Sequence, residues 1–250
     1  MLTRAILRKP GPDFAAGLTT ARLGQPDPRR MQAQHAAYAD ALRRLGLVVE
    51  MLEALPGFPD AYFVEDVAVV FPELAVVARP GAPSRRGEAD FIVPALARHR
   101  AVARLDGAAT LDGGDVLVAG RDVFIGVSAR TNQEGADQLA RLLEPHGYRS
   151  RTVPVESGLH LKSSVSWLGG ETVLVSERLA RRPELRAFRQ VVVDPDEEAA
   201  CNTLFVNGTI LTPAGFPRTR RLLEGFPVVE LDVSEARKMD GGLSCMSLRL

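Results

Sequence analysis

Two cysteines and four histidines are the scarce nucleophilic and proton-moving groups among these 250 residues. Cys245 sits in Asp240-Gly241-Gly242-Leu243-Ser244-Cys245-Met246-Ser247. Two glycines permit a tight turn and close approach of backbone or ligand, and a thiol in so polar a setting fits a reactive cysteine better than a packing one. Cys201, in Ala-Ala-Cys-Asn-Thr-Leu-Phe, leads an apolar run into a strand and reads as a buried, inert thiol. His160 lies between Leu159 and Leu161 in a segment expected to be a strand, where alternation puts it on the opposite face from both leucines. That placement suits a satisfied structural histidine or an acid–base group equally. His35 falls on the apolar stripe of a helix as a core or interface residue, and His99 stands among arginines and should be solvated. His146 follows a helix end, where a cation suits the dipole.

Carboxylates cluster beside apolar strands. Pro59-Asp60-Ala61-Tyr62-Phe63-Val64-Glu65-Asp66 leads into Val67–Phe71, and Leu111-Asp112-Gly113-Gly114-Asp115 leads into Val116–Ala119. Such groups are either solvated loop charges or partners for a cation. A metal would take them, and so would a guanidinium with its planar fork of five donors. A two-metal hydrolase needs more imidazoles than this chain offers. Arg85, near the start of one helix, and Arg130, just before another, can each hold a carboxylate by a bidentate contact or stand as solvated loop arginines.

The elements that must position these groups alternate along the chain. Thr3–Lys9 reads as a strand, and Asp27-Pro28 opens a helix with Met31, His35, Tyr38, Leu42 and Leu45 on one face, ended by Gly46. Strands are expected at Val48–Leu52, Val67–Phe71, Leu74–Ala78, Val116–Ala119, Val123–Ile125, Thr172–Ser176, Val191–Asp194, Thr203–Val206 and Val228–Leu231. Arg86–His99 reads as helical. Thr131 and Glu134 read as a capping box for a helix presenting Ala136, Leu139, Leu142 and Leu143 on one side. Pro183–Phe188 and Pro217–Gly225 read as helices. The unit recurs about every 50 residues without a residue-level repeat. The pattern alone gives an α/β or α+β chain with one compact domain over residues 1–250.

Composition narrows the function. Hydrophobic residues make up 46% and charged residues 25%, as in soluble globular proteins. Lys+Arg and Asp+Glu both number 31, which removes the electrostatic footprint of a general nucleic-acid binder. No apolar run reaches the ~20 residues of a membrane span, and the apolar stretch near the start is too short for a signal peptide. Two cysteines form no disulfide framework and no metal ribbon, so a reducing, cytoplasmic setting is expected.

Taken together, the segments 58–66, 79–88, 111–117, 128–135, 159–162 and the Gly-Gly-Leu-Ser-Cys-Met-Ser run resemble the dimethylarginine dimethylaminohydrolases of the guanidino-group-modifying (penteine) superfamily, nearly end to end. The resemblance implies an α/β propeller of five blades with pseudo-fivefold symmetry in a single catalytic domain. It implies Cys245 as nucleophile, His160 as general acid/base, and Asp112 as a guanidinium-binding group that helps place the histidine. Asp66 would hold the unsubstituted guanidinium nitrogen, with Glu65 supporting that acidic wall. Arg85 and Arg130 would grip the substrate α-carboxylate. Asp60, the Leu18 carbonyl and the backbone near Met239 would receive the α-ammonium, under a lid formed by Gly17–Gly24. Asp112 stands where some bacterial relatives carry Glu, a shorter reach toward the histidine. The implied reaction converts dimethylated or monomethylated L-arginine to L-citrulline and an amine. No metal or other cofactor is required, although Zn²⁺ can inhibit by capturing the Cys245 thiolate. The implied partner is the small-molecule substrate, with no nucleic acid and no membrane, and bacterial relatives suggest a homodimer. The nearest rival is another guanidine-modifying enzyme such as an arginine deiminase. Those relatives are generally longer, and Arg85 and Arg130 favour an amino-acid substrate over agmatine. A non-catalytic propeller that binds rRNA is the alternative of a different class, and it leaves a Cys245–His160–Asp112 set unexplained.

Overall fold

The computed structural model describes residues 1–156 and 158–250. The chain starts with β1 (Arg4–Arg8), crosses through helix α1 (Pro28–Arg44), and returns as β2 (Val48–Leu52), parallel to β1 from Arg4↔Val48 to Arg8↔Leu52. A three-strand unit then recurs four times. In each, a short inner strand pairs antiparallel with a central strand, and an outer strand returns parallel to the centre after a crossover. These units are β3 (Ala68–Val70), β4 (Leu74–Val77) and β5 (Ala101–Arg104); β6 (Val116–Ala119), β7 (Asp122–Val127) and β8 (Arg149–Pro154); β9 (Val165–Trp167), β10 (Thr172–Ser176) and β11 (Arg189–Val193); and β12 (Leu204–Val206), β13 (Thr209–Pro213) and β14 (Val228–Leu231). Finally β15 (Leu248–Arg249) pairs antiparallel with β1 through Ala5↔Arg249 and Ile6↔Leu248. The first sheet is thus built from both ends of the chain, giving five three-stranded sheets in a pseudo-fivefold α/β propeller.

Local sequence explains the parts. The central strands β4 (LAVV) and β10 (TVLVS) are apolar, β-branched and almost entirely buried, as strands covered on both faces must be. Outer β8 instead carries exposed Arg149 and Arg151 and buries only Val153, and its charges protect an exposed edge. Neighbouring sheets share cores: Ala5 and Leu7 of the first pack with Leu204, Val206 and Leu211 of the fifth, and Val69 and Val76 of the second with Val116 and Val123 of the third. Helix α1 forms where its pattern predicts. The Asp27 carboxylate accepts from the Arg29 and Arg30 amides, His35 is buried on the apolar stripe, and Gly46 takes φ +89° just past the end.

Four local expectations are corrected. Arg86–His99 is not one helix: a 3₁₀ run, Pro83–Phe91, meets a short α-helix, Val93–Ala97, because Pro94 cannot sit deep in a longer one. Helix Gln133–Leu143 is capped by Asn132, whose side chain accepts from the Gly135 amide, and not by Thr131, whose hydroxyl turns to Asp115. His160 lies in extended backbone ahead of a 3₁₀ turn, outside any strand. His99 is half-buried, with its Nε2 3.1 Å from Glu50, and is not simply solvated. Among the described residues no helix is long and apolar enough to cross a membrane.

Candidate active site

Each inner strand is preceded by a 3₁₀ turn, and these equivalent positions carry the chemistry. Val64–Val67 supplies Glu65 and Asp66 ahead of β3, and Gly113–Asp115 has Asp112 at its start, ahead of β6. Leu161–Ser163 has His160 at its start, ahead of β9, and Pro195–Cys201 has Asn202 at its end, ahead of β12. Ser244–Met246 carries Cys245 ahead of β15. Five-fold repetition therefore turns residues distant in sequence toward one place. Leu18, Asp60, Asp66, Arg85, Arg130, His160, Met239 and Cys245 line a single pocket with Phe63 and Gly241. Asp112 and Glu65 stand behind that surface, wholly and almost wholly buried.

His160 is held between carboxylates. Its Nε2 lies 3.0 Å from Asp112 Oδ2 and its Nδ1 3.9 Å from Asp66 Oδ1. Asp112 reaches the ring despite its short side chain, because its other oxygen is anchored by the Gly81 amide at 2.8 Å. The double glycine allows this approach: a side chain at Gly113 would collide with the Glu65 carbonyl, and a Cβ at Gly114 would lie 2.5 Å from His160 Nδ1. Burial alone would push the imidazole down, but Asp66, the hydrogen bond to Asp112 and the charge of Asp115 raise it to about 9. Burial raises Asp112 too, and the imidazolium outweighs that, holding the carboxyl below its usual range. Asp66, Asp112 and His160 bring three potential metal-ligand atoms within 4.8 Å of one another. A protonated imidazole offers donors and no lone pair, so a metal would bind only by expelling that proton.

Cys245 is buried, and its thiol is pushed up to about 12 by burial, then by Glu65 and Asp66. The turn that carries it is fixed from beneath. Asn202 accepts from the Ser244 amide at 2.9 Å and donates to Ser244 Oγ at 3.2 Å, with its amide nitrogen 3.8 Å from Cys245 Sγ. Glu65 accepts from Ser244 Oγ at 2.6 Å, Lys162 Nζ at 2.6 Å and Arg249 Nη2 at 2.9 Å. Burial raises the Glu65 carboxyl, yet Lys162 and Arg249 outweigh it and keep it ionised. Arg249 also donates to the Ser247 carbonyl at 2.8 Å, and Ser247 Oγ meets the buried Tyr38 hydroxyl at 2.6 Å.

A protein-family model described as arginine deiminase matches residues 59–164. Along its full length the chain is 39% identical over 253 residues to an N(G),N(G)-dimethylarginine dimethylaminohydrolase of Pseudomonas aeruginosa, covering 100% of both. This chain belongs to the dimethylarginine dimethylaminohydrolase family. A second member, from Streptomyces coelicolor, is 37% identical over 251 residues, covering 99% of this chain and 96% of that one. The solved structure of a Cys-to-Ser mutant of the Pseudomonas aeruginosa dimethylarginine dimethylaminohydrolase, complexed with citrulline, superposes with a TM-score of 0.98 at 38% identity, covering 100% of each chain.

At the pocket mouth this dimethylarginine dimethylaminohydrolase family member brings together the lid segment and the two arginines. The Leu18 amide donates to both Asp60 oxygens at 3.1 Å, Thr19 Oγ1 donates to the Lys238 carbonyl at 2.9 Å, and the Thr20 amide and hydroxyl bond Asp240. Arg85 is committed to the wall. It bonds Asp66 Oδ2, Glu88 and the carbonyls of Asp60 and Phe63, and these acids hold it charged despite full burial. Arg130, with 21% of its side chain exposed and its Nη1 4.0 Å from Asp112, is the freer cation. Three parts of this framework were not singled out by sequence: Asn202, Lys162 and Arg249. Lys162 stood inside the Leu-His-Leu-Lys motif and Asn202 beside Cys201. For Lys162 and Asn202 the signal is the turn ahead of each inner strand, visible only once the ring closes; Arg249 lies in β15 and carries no such signal.

Proposed function

We propose that this chain hydrolyses Nω,Nω-dimethyl-L-arginine and Nω-monomethyl-L-arginine to L-citrulline and dimethylamine or methylamine. The observation that carries this reading is one pocket lined together by a thiol, an imidazolium, carboxylates and the partly exposed Arg130. That layout fits an amino acid whose side chain ends in a cation. Asp66 takes the unsubstituted guanidinium nitrogen, and Asp112 adds negative charge behind it. The α-carboxylate meets Arg130, and Arg85, held in the wall by Asp66 and Glu88, adds positive charge beside it. The α-ammonium meets Asp60, the Leu18 carbonyl and the backbone near Met239.

A guanidinium carbon is a poor electrophile, so orientation must supply much of the acceleration. The bound cation lowers the Cys245 pKa, and the thiol proton passes to solvent, to be replaced at the end of the cycle by the hydroxyl proton of the second adduct. The thiolate adds to the guanidinium carbon, and protonated His160 gives its proton to the departing amine nitrogen. The C–N bond breaks and leaves an S-alkylthiouronium on Cys245. Neutral His160 then takes a proton from water, and the hydroxide adds to the same carbon. Collapse breaks the C–S bond, releases citrulline and returns the thiol. The acid–base partner comes from His160, poised by Asp112, so the sequence needs no metal or organic cofactor. Symmetric dimethylarginine is disfavoured, since it leaves Asp66 no unmethylated nitrogen.

Citrulline release from asymmetric dimethylarginine and from arginine, measured side by side with chelator present, tests the reading. Turnover of the methylated substrate is expected, and Cys245→Ser should abolish it while the variant still binds citrulline. Turnover of arginine alone would replace the reading with that of a deiminase.

A further inference from the structure

Asp115 closes the Leu-Asp-Gly-Gly-Asp motif, is fully buried and does not line the pocket. Its carboxylate nevertheless accepts three hydrogen bonds from segments that do. Oδ1 accepts from the Leu161 amide at 2.8 Å, one residue past His160. Oδ2 accepts from Ser128 Oγ and Thr131 Oγ1, each at 2.7 Å. Those hydroxyls in turn accept backbone amides: Ser128 Oγ takes Arg130 at 2.9 Å and Thr131 at 3.1 Å, and Thr131 Oγ1 takes Asp112 at 3.1 Å. One carboxylate therefore ties together the backbone of the histidine, of its acidic partner and of the free arginine.

We propose that Asp115 is a positioning residue that fixes the spacing between His160 and Arg130, the proton-moving group and the carboxylate-binding group of the site. This rests on the amino-acid substrate reading above. Burial raises the Asp115 carboxyl, and the His160 charge and the three donors work against that; a buried network whose donors are all satisfied holds a single geometry. On that reading the substrate engages both groups at once, so an error in their spacing displaces the guanidinium carbon from the thiolate, the kind of misplacement that costs rate steeply. Asp115 also acts through charge. The groups that hold His160 protonated are Asp66 and Asp112 on their own turns and Asp115 beneath it. A loop staple of purely structural purpose would affect stability alone.

Asp115→Asn separates the two possibilities. The amide keeps the shape: its oxygen can accept from Leu161 and its nitrogen can donate to Thr131 Oγ1, while Ser128 Oγ, which already accepts two amides, loses its acceptor. Ser128→Ala spares the Leu161 and Asp112 contacts and loosens the Arg130 and Thr131 amides, and Thr131→Val provides a second break should the Asn variant not fold. With asymmetric dimethylarginine, Ser128→Ala is expected to raise KM about tenfold with kcat within about threefold. Thr131→Val is expected to lower kcat, because it frees the Asp112 amide. Asp115→Asn is expected to lower kcat about tenfold or more and to move the NMR titration of the His160 ring down by about one unit. The proposal is overturned if the folded variants keep kcat, KM and the His160 titration within about twofold of the parent, or if they lose only folded fraction. A parent chain that releases no citrulline sinks the substrate reading instead, and the His160 titration still decides whether Asp115 sets that group.

Discussion

Alkylation of Cys245 by a cationic and by a neutral reagent carrying the same leaving group measures how far the substrate itself creates the nucleophile. With the thiol pushed up to about 12, a free protein at pH 7.5 holds about one thiolate in 30,000. A guanidinium or amidinium about 4 Å from the sulfur, at an effective dielectric of about 20, favours the thiolate by about 4 kcal/mol. That is roughly three pKa units, or about a thousandfold more thiolate. A less basic thiolate is also less nucleophilic, with a Brønsted slope of about 0.4–0.5, so the net gain in rate is about 50-fold. The assay compares 2-chloroacetamidine with 2-chloroacetamide at pH 7.5, each rate divided by its rate with a simple thiol. Asp66→Asn should shrink the ratio from both sides: the cation loses its seat, and the free thiol loses a repelling neighbour. A normalised ratio near one, or a thiolate absorbance step below about pH 9 in the free protein, would refute the reasoning.

Three further outcomes follow from the same geometry. Asp112→Asn removes the acceptor at His160 Nε2, so kcat should fall about a hundredfold and the alkaline limb of its pH profile should move to lower pH. Stability should also depend on pH through His160. Its folded value is raised from 6.5 to about 9, so its stabilisation is complete below pH 6.5 and is lost as pH rises through about 9. That loss amounts to at most about 3 kcal/mol, visible as a falling melting temperature that His160→Asn should flatten. Gly114→Ala puts a methyl 2.5 Å from His160 Nδ1, so citrulline release should collapse while circular dichroism still reports a folded protein.

Much of this architecture can be read from sequence. Helix α1 declares itself through Asp27, Pro28 and a 17-residue apolar periodicity, and the central strands through runs such as Leu74–Val77. The inner strands β3, β9 and β12 have three residues each, too few for alternation to show. Outer β8 hides its single buried valine among arginines. At the helix following Arg130, Thr131 and Asn132 both suit a cap, and only the demand of buried Asp115 for a donor decides which one serves. The pocket-lining residues sit in motifs that carry a resemblance, which is why they could be named. Asn202 sits in Pro-Asp-Glu-Glu-Ala-Ala-Cys-Asn, where nothing marks it until its turn is seen beside the other four.

The pairing of Ala5 with Arg249 has a consequence for the order in which this protein comes into being. A strand that waits for a partner 244 positions later leaves its sheet with an open inner edge while four others form locally. Until residues 248–249 arrive, Glu65 and Ser247 lack the arginine that fastens the Cys245 turn. A nascent chain therefore carries its histidine and its acids already mounted but its sulfur unaligned. The ring's last seam and the enzyme's first competence would then be one event.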